Sequence, residues 1–395
     1  MVPGTGPMRS APLSGFFGCT LSRRAFVHGS LGALALLALP APLTGSPRPQ
    51  VQYGFIRPQP ASFFRRLPGQ RVQCELCPRR CEVLPGDRGE CGVRENRQGQ
   101  YYTLVYGNPC AVHVDPIEKK PFFHVLPGSS SFSIATAGCN LRCKFCQNWE
   151  ISQARPEETY NFDLPPEAVV AAAQKSGSAS IAHTYVEPVI FYEYMLAVGR
   201  LAKQAKVLNV CHSNGYINPE PLAALAEFLD AACIDLKSFD NRFYQELTDG
   251  DLPPVLQTLK LLKQKGIHIE IVNLVIPQYN DARDNIHRMC RWIAEELSPL
   301  TPLHFSRFYP MHKMAHHYPT PVGTLEMARE TALAAGLKYV YIGNRPGHPG
   351  ENSFCHACGQ LIISRRGYLV SEVHLTAGRC RHCGAVIPGI WQSPS

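Results

Sequence analysis

No apolar stretch of this 395-residue chain approaches the ~20 residues that a bilayer-spanning helix needs. No dense Lys/Arg block is present either, which argues against a dedicated nucleic-acid binder. The first 45 residues hold no Asp, Glu or Lys. Arg9, Arg23 and Arg24 there supply three of the formal +8 charges, so the remainder carries a mild +5. Charged residues make up only 18% and hydrophobic ones 45%, too apolar for a disordered chain. The length allows one large domain plus small modules. Cysteine is what the sequence has in excess. Of 16 cysteines, five (Cys19, Cys110, Cys211, Cys233, Cys290) are scattered and the rest fall into three tight groups. Disulfide scaffolds are usually small and evenly cysteine-rich, whereas short C-x2-C and C-x3-C pairs in a long chain place thiolates around a metal centre.

Ser22-Arg23-Arg24-Ala25-Phe26-Val27 precedes the short apolar run Leu31–Leu39 and a Pro/Ala-rich exit. This reads as a signal peptide over residues 1–45, and the paired arginines before Phe resemble a twin-arginine export signal. That resemblance implies export of a folded, cofactor-loaded protein to the periplasm or membrane surface, with the signal as the only membrane contact. A translation start further in would instead leave the protein in the cytoplasm. The Pro/Arg-rich stretch that follows is expected to be a linker, 46–71.

A cysteine-rich module is expected at 72–130. From 131 to 345, short β-branched runs alternate with amphipathic segments. Expected strands are Phe132–Thr136, Ser180–Thr184, Val207–Cys211, Ala232–Leu236, Ile267–Ile276, Leu303–Phe305 and Tyr339–Ile342. Expected helices include Pro166–Lys175, Val189–Ala205, Pro219–Leu229, Pro254–Lys265, Asp284–Glu296 and Leu325–Ala335. Six or seven β/α units predict an α/β fold, a partial (β/α)6-type TIM barrel. An open doubly wound sheet is the alternative, but no G-x-G-x-x-G follows the first strand. A zinc-ribbon-like module is expected at 346–395.

After the first strand comes Gly138-Cys139-Asn140-Leu141-Arg142-Cys143-Lys144-Phe145-Cys146, spaced C-x3-C-x2-C. Three thiolates can hold three irons of a 4Fe–4S cube and leave the fourth iron open, whereas structural zinc normally takes four ligands. A zinc site completed by a distant His, or three unlinked thiols, are the plainer readings. With an aromatic just before the last Cys, this string resembles the signature of the radical S-adenosylmethionine (SAM) enzymes. Cys146-Gln147-Asn148 and the sequence on to Ile151 resemble the branch related to pyruvate formate-lyase-activating enzymes.

That resemblance implies roles for polar groups after successive strands. Thr184-Tyr185-Val186-Glu187-Pro188 resembles T-Y-N-E-P, whose Glu holds the SAM amino group; Val186 stands where Asn is usual. Ser213-Asn214-Gly215-Tyr216 resembles T-N-G-Y near the SAM ribose, and His212 replaces an Asp that helps bind a cation. Asp235-Leu236-Lys237 resembles D-L-K, whose Lys approaches the SAM carboxylate. Asn273 and His304, the latter with Arg307 in H-F-S-R-F, complete the implied SAM set. Singly, each has a plainer explanation: a helix cap for Asp235, a turn for Asn214-Gly215, a satisfied core histidine for His304.

Cys355-x2-Cys358-Gly359 and Cys380-x2-Cys383-Gly384 form two knuckles spaced for a structural metal, zinc in preference to rubredoxin-like iron. Cys74-x2-Cys77-x3-Cys81-x9-Cys91 offers four more thiolates, for zinc or a second iron–sulfur cluster. His113, Asp115, Glu118, Lys119 and Lys120, just before the barrel, are placed to approach a substrate, but a solvated charged face is the default reading. Nearly the whole chain after Val72 resembles the radical SAM component of the AmmeMemoRadiSam system, through Cys74-Glu75-Leu76-Cys77-Pro78, Asp115-Pro116-Ile117-Glu118-Lys119-Lys120-Pro121, the Cys139 triplet and Gly343-Asn344. The resemblance implies a 4Fe–4S cluster that reductively cleaves SAM to methionine and a 5′-deoxyadenosyl radical, which abstracts hydrogen from an unidentified substrate. It also implies an external one-electron donor and association with Memo-like and AMMECR-like proteins. The rival readings are a glycyl-radical-enzyme activase, a metal-binding scaffold or electron carrier without enzymatic activity, and a zinc-ribbon nucleic-acid binder.

Overall fold

Short β-branched runs bounded by proline-initiated helices give a repeated β/α alternation. Pro166, Pro219 and Pro253 each stand in the first turn of a helix, where a missing N–H costs nothing. The computed structural model describes residues 50–393, so the leader expected at 1–45 lies outside the described residues. Among the described residues no helix is long and apolar enough to cross a membrane.

One sheet organises the fold. Its strands are β1 (Ala111–Pro116), β2 (Ser130–Ala135), β3 (Ser180–His183), β4 (Leu208–Ser213), β5 (Ala231–Asp235), β6 (His268–Val275), β7 (Leu303–Arg307) and β8 (Val340–Gly343). They lie side by side in sequence order. β2 to β8 are parallel, and β1 caps the edge antiparallel to β2. A doubly wound sheet would reverse its order partway; unbroken order with right-handed crossovers puts the helices on one face and curls the sheet. The result is a partial barrel of six β/α units ended by a seventh parallel strand. Its edge strands β1 and β8 do not pair with each other.

The barrel interior is plugged. Ala182, Val210, Cys233 and Val272 from successive strands meet Ile117, Phe122 and Val125, which follow β1. Deeper in, Glu270 accepts hydrogen bonds from the amides of Phe123 (3.0 Å) and His124 (2.7 Å). Arg365 of the C-terminal module donates to the Phe123 carbonyl (2.7 Å) and lies over its ring. The C-terminal module thereby packs on the plug, and the strand ends opposite it are left for chemistry.

Two expectations need correction. Residues 46–71 are not a linker where described: Val51–Tyr53 pairs with Tyr160–Phe162, Gln59–Pro60 with Gln100–Thr103, and Phe64–Arg66 with Val72–Cys74. Proline and arginine are tolerated there because these are very short edge strands. The cysteine-rich module also does not run to 130, since Ala111–Pro116 belongs to the barrel sheet and the next segment is its plug.

Candidate active site

The cysteine triplet leaves the C-terminal end of β2, the rim where such barrels collect catalytic groups. Its loop is anchored on both sides. The amides of Arg142 and Lys144 donate to the carbonyls of Thr248 (2.8 Å) and Leu247 (2.9 Å). Arg79 of the N-terminal module donates to the Asn140 carbonyl, and Arg142 donates back to the Glu90 carbonyl. Gly138 has φ +96°, and a Cβ there would lie 2.6 Å from the Cys91 carbonyl oxygen. Only glycine allows this approach.

Burial raises the thiols of Cys139 and Cys143, and Cys146 lies near enough to both to add to that rise by charge. Burial pushes Cys143 up to about 11. The Leu141 amide donates to Cys139 Sγ (3.4 Å), and Ser152 Oγ lies 3.3 Å from Cys146 Sγ. Amide–sulfur bonds of this kind tune iron–sulfur centres. Three cysteines on one loop, with no fourth in it, suit a cluster with one iron left free.

Glu187 stands beside Cys139 and is fully enclosed. Its carboxylate accepts from Ser213 Oγ (2.7 Å) and from the amides of Val189 (3.0 Å) and Asn214 (2.7 Å). Burial pushes it up to about 7, and these three neutral donors offset burial only in part. A buried carboxylate without a cationic partner is suited to a cationic ligand. Asn214 Nδ2 donates to Asn140 Oδ1 (2.8 Å), tying the β4 turn to the cysteine loop.

At the end of β5, Asp235 pairs with Lys237 Nζ (2.8 Å) and His212 Nε2 (2.8 Å). Burial would raise Asp235, but Lys237 and His212 outweigh it and hold the carboxyl below its usual range. Cys143 is near enough to feel both Asp235 and Lys237. His212 therefore stands against the Asp235 carboxylate.

Two implied SAM residues lie elsewhere. His304 is the second residue of β7, short of the rim, and its Nε2 bonds Glu270 (2.8 Å) in the plug layer with Phe123 and Tyr341. It is a satisfied core histidine. Asn273 faces the helices: Nδ2 donates to the Leu236 carbonyl (2.7 Å) and approaches Met289 Sδ. Strand alternation puts it on the face opposite Val272, so it braces the Asp235–Lys237 turn from behind.

The charged residues in and just after β1 form a solvated face only in part: His113 and Lys119 are exposed, whereas Asp115, Glu118 and Lys120 are buried. Lys120, 1% exposed, bonds Asp115 Oδ2 (2.5 Å) and Tyr185 OH (3.0 Å), and Tyr185 also donates to Asp115. Burial pushes Lys120 down to about 8, with Asp115 only partly restoring it. Asn148 Nδ2, two residues past the triplet, donates to the Tyr185 carbonyl (2.6 Å). Sequence reasoning assigned no role to Asn140, Asn148 or Tyr185, and it named Asp115 and Lys120 without seeing that they pair. The D-P-I-E-K-K-P string was the available signal, and antiparallel β1 is what turns it inward.

All fifteen described cysteines are free thiols. In the C-terminal quartet Cys355 and Cys383 Sγ are 3.6 Å apart and Cys358 and Cys380 Sγ 3.9 Å, all four within 4.8 Å. Those sulfurs suit a single tetrahedral ion.

A profile described as the Radical SAM superfamily matches residues 133–290. An uncharacterized protein of Methanocaldococcus jannaschii, MJ0808, is 44% identical over 329 residues, covering 83% of this chain and 98% of that protein. The pyruvate formate-lyase 1-activating enzyme of Escherichia coli K12 is 23% identical over 186 residues, covering 46% of this chain and 73% of the enzyme. Among solved structures, a radical SAM methyltransferase from Sphaerobacter thermophilus aligns with TM-score 0.44 at 16% identity, over 60% of this chain and 71% of that one.

Proposed function

This chain belongs to the radical SAM superfamily, and on that footing we propose that Cys139, Cys143 and Cys146 hold its 4Fe–4S cluster while Glu187 receives the SAM amino group. Bound there, the reduced cluster supplies the electron that cleaves SAM to methionine and a 5′-deoxyadenosyl radical. The observation carrying this reading is the enclosed Glu187 carboxylate, beside Cys139 and served only by neutral donors. Ser213 and the Asn214 amide orient that carboxylate. Lys237, steadied by Asp235, offers a cation for the SAM carboxylate. Asn140 and Asn214 keep the cysteine loop and the β4 turn in register. Lys120, Asp115 and Tyr185 are poised for a polar group of the substrate.

The chemistry requires an external one-electron donor. Zinc in the C-terminal quartet, export by the twin-arginine route, and Memo-like and AMMECR-like partners extend the proposal. They rest on ligand spacing, the leader sequence and the motif resemblance respectively.

The test is anaerobic reconstitution with iron and sulfide, reduction with dithionite, and mass detection of 5′-deoxyadenosine from SAM. Product is expected from the native chain, none from Cys143→Ala, and a large loss of SAM affinity in Glu187→Gln. No iron and no 5′-deoxyadenosine in the native chain would overturn the proposal.

A further inference from the structure

We infer that Cys74, Cys77, Cys81 and Cys91 ligate a second iron–sulfur cluster and not a zinc ion. The C-terminal quartet supplies an internal scale: its paired sulfurs stand 3.6 and 3.9 Å apart. Zn–S bonds of ~2.3 Å in a tetrahedron place sulfurs about 3.8 Å apart, so that quartet is gathered for one ion. Among the described residues neither the N-terminal quartet nor the Cys139 triplet is drawn inside the 4.8 Å that encloses it. A centre of several irons holds its cysteines further apart than one ion does.

The four N-terminal cysteines nevertheless surround one space. All four line one cavity of ≈ 20 Å³, room for about one water. Two residues of the cavity wall, 2% and 1% exposed, each carry a buried donor without a partner: Tyr101 OH and Arg94 Nε. Buried donors are rarely left unmade, and the bridging sulfides of a cluster are acceptors that a zinc site lacks. The amides of Arg79, Glu90 and Val93 already approach the sulfurs of Cys77, Cys81 and Cys91. A Cβ at Gly89 would meet Tyr101 OH at 3.1 Å, so glycine there keeps the wall open.

Asn140, Val189 and Ile190, neighbours of Cys139 and Glu187, form part of the same wall. The second cluster thus sits directly behind the catalytic loop. Four cysteine ligands leave no open iron for SAM. Its chemistry is one-electron exchange: it gains one electron from a low-potential reductant and returns it, with no bond made or broken. The inference stands on the quartet alone and does not need the catalytic reading.

The experiment uses the full chain carrying Cys139→Ala, Cys143→Ala and Cys146→Ala together, prepared anaerobically and reconstituted with iron and sulfide. About two to four irons per chain are expected, with a dithionite-reducible paramagnetic signal that SAM leaves unchanged. No iron, with about two zinc ions per chain, would overturn the inference. A second measurement needs no variant: anomalous scattering at the iron edge from crystals of the native protein. Iron at both the Cys74 and Cys139 groups is expected, and a zinc-edge signal in place of iron at the Cys74 group would refute the inference independently.

Discussion

Replacing Gly138 with alanine tests how the N-terminal module and the cysteine loop depend on each other. Gly138 sits at φ +96°, which an L-residue adopts at a cost of ~1–2 kcal/mol. The new methyl would also lie 2.6 Å from the Cys91 carbonyl oxygen and 2.7 Å from Val93 Cγ1. The first is backbone and cannot swing aside, so overpacking adds ~1–3 kcal/mol. The sum is ~2–5 kcal/mol. At ~2.1 cal/mol/K per residue over ~350 folded residues, that lowers Tm by roughly 3–7 °C. Gly177 is the control: its φ is +66° with nothing within 4 Å, so Gly177→Ala meets the conformational cost alone. Calorimetry of both variants, with iron counted after reconstitution, should show Gly138→Ala melting lower and losing iron from the Cys139 site. Equal melting temperatures and full iron in both would refute the reasoning.

His304→Phe should cost ~1.5–3 kcal/mol, since Glu270 loses a buried charge-assisted bond, while SAM affinity stays within about threefold. Equilibrium dialysis showing a loss beyond about tenfold would return His304 to the SAM site. Lys120 gives a pH signature. Its folded value of about 8 lies below the ordinary 10.5, so between them the folded state binds fewer protons than the unfolded state. Stability should therefore rise as pH climbs from about 8 to 10.5, by up to ~3 kcal/mol, and Lys120→Met should lack that rise in denaturant titrations. Cys358→Ala should release about one zinc ion per chain yet leave 5′-deoxyadenosine formation intact. Loss of that activity would mean the C-terminal module reaches the barrel mouth.

Much of the barrel was legible because its signals are local. Pro166 to Lys175 begins with a helix-starting proline and forms a helix over that span, and each expected strand lies within two residues of an observed one. That Glu187, Ser213 and Asn214 gather beside the triplet's loop was legible because all of them lie at strand ends on one rim. What failed was long-range. Val51–Tyr53 looks like linker until Tyr160–Phe162 pairs with it. Asp115 and Lys120 look solvated until β1 folds back on β2. His304 was assigned to the rim because a motif gives order along the chain, not depth within the barrel. For the outer cysteine groups, ligand count was readable, whereas the sulfur separations that distinguish one ion from a cluster exist only in three dimensions.

The most direct test of the account is pulsed paramagnetic resonance on the dithionite-reduced protein mixed with SAM carrying ¹⁵N in its amino group. Hyperfine coupling between that nitrogen and a cluster is expected in the native chain, absent in Cys143→Ala and weakened in Glu187→Gln. A reduced native protein whose iron signal shows no nitrogen coupling would contradict it.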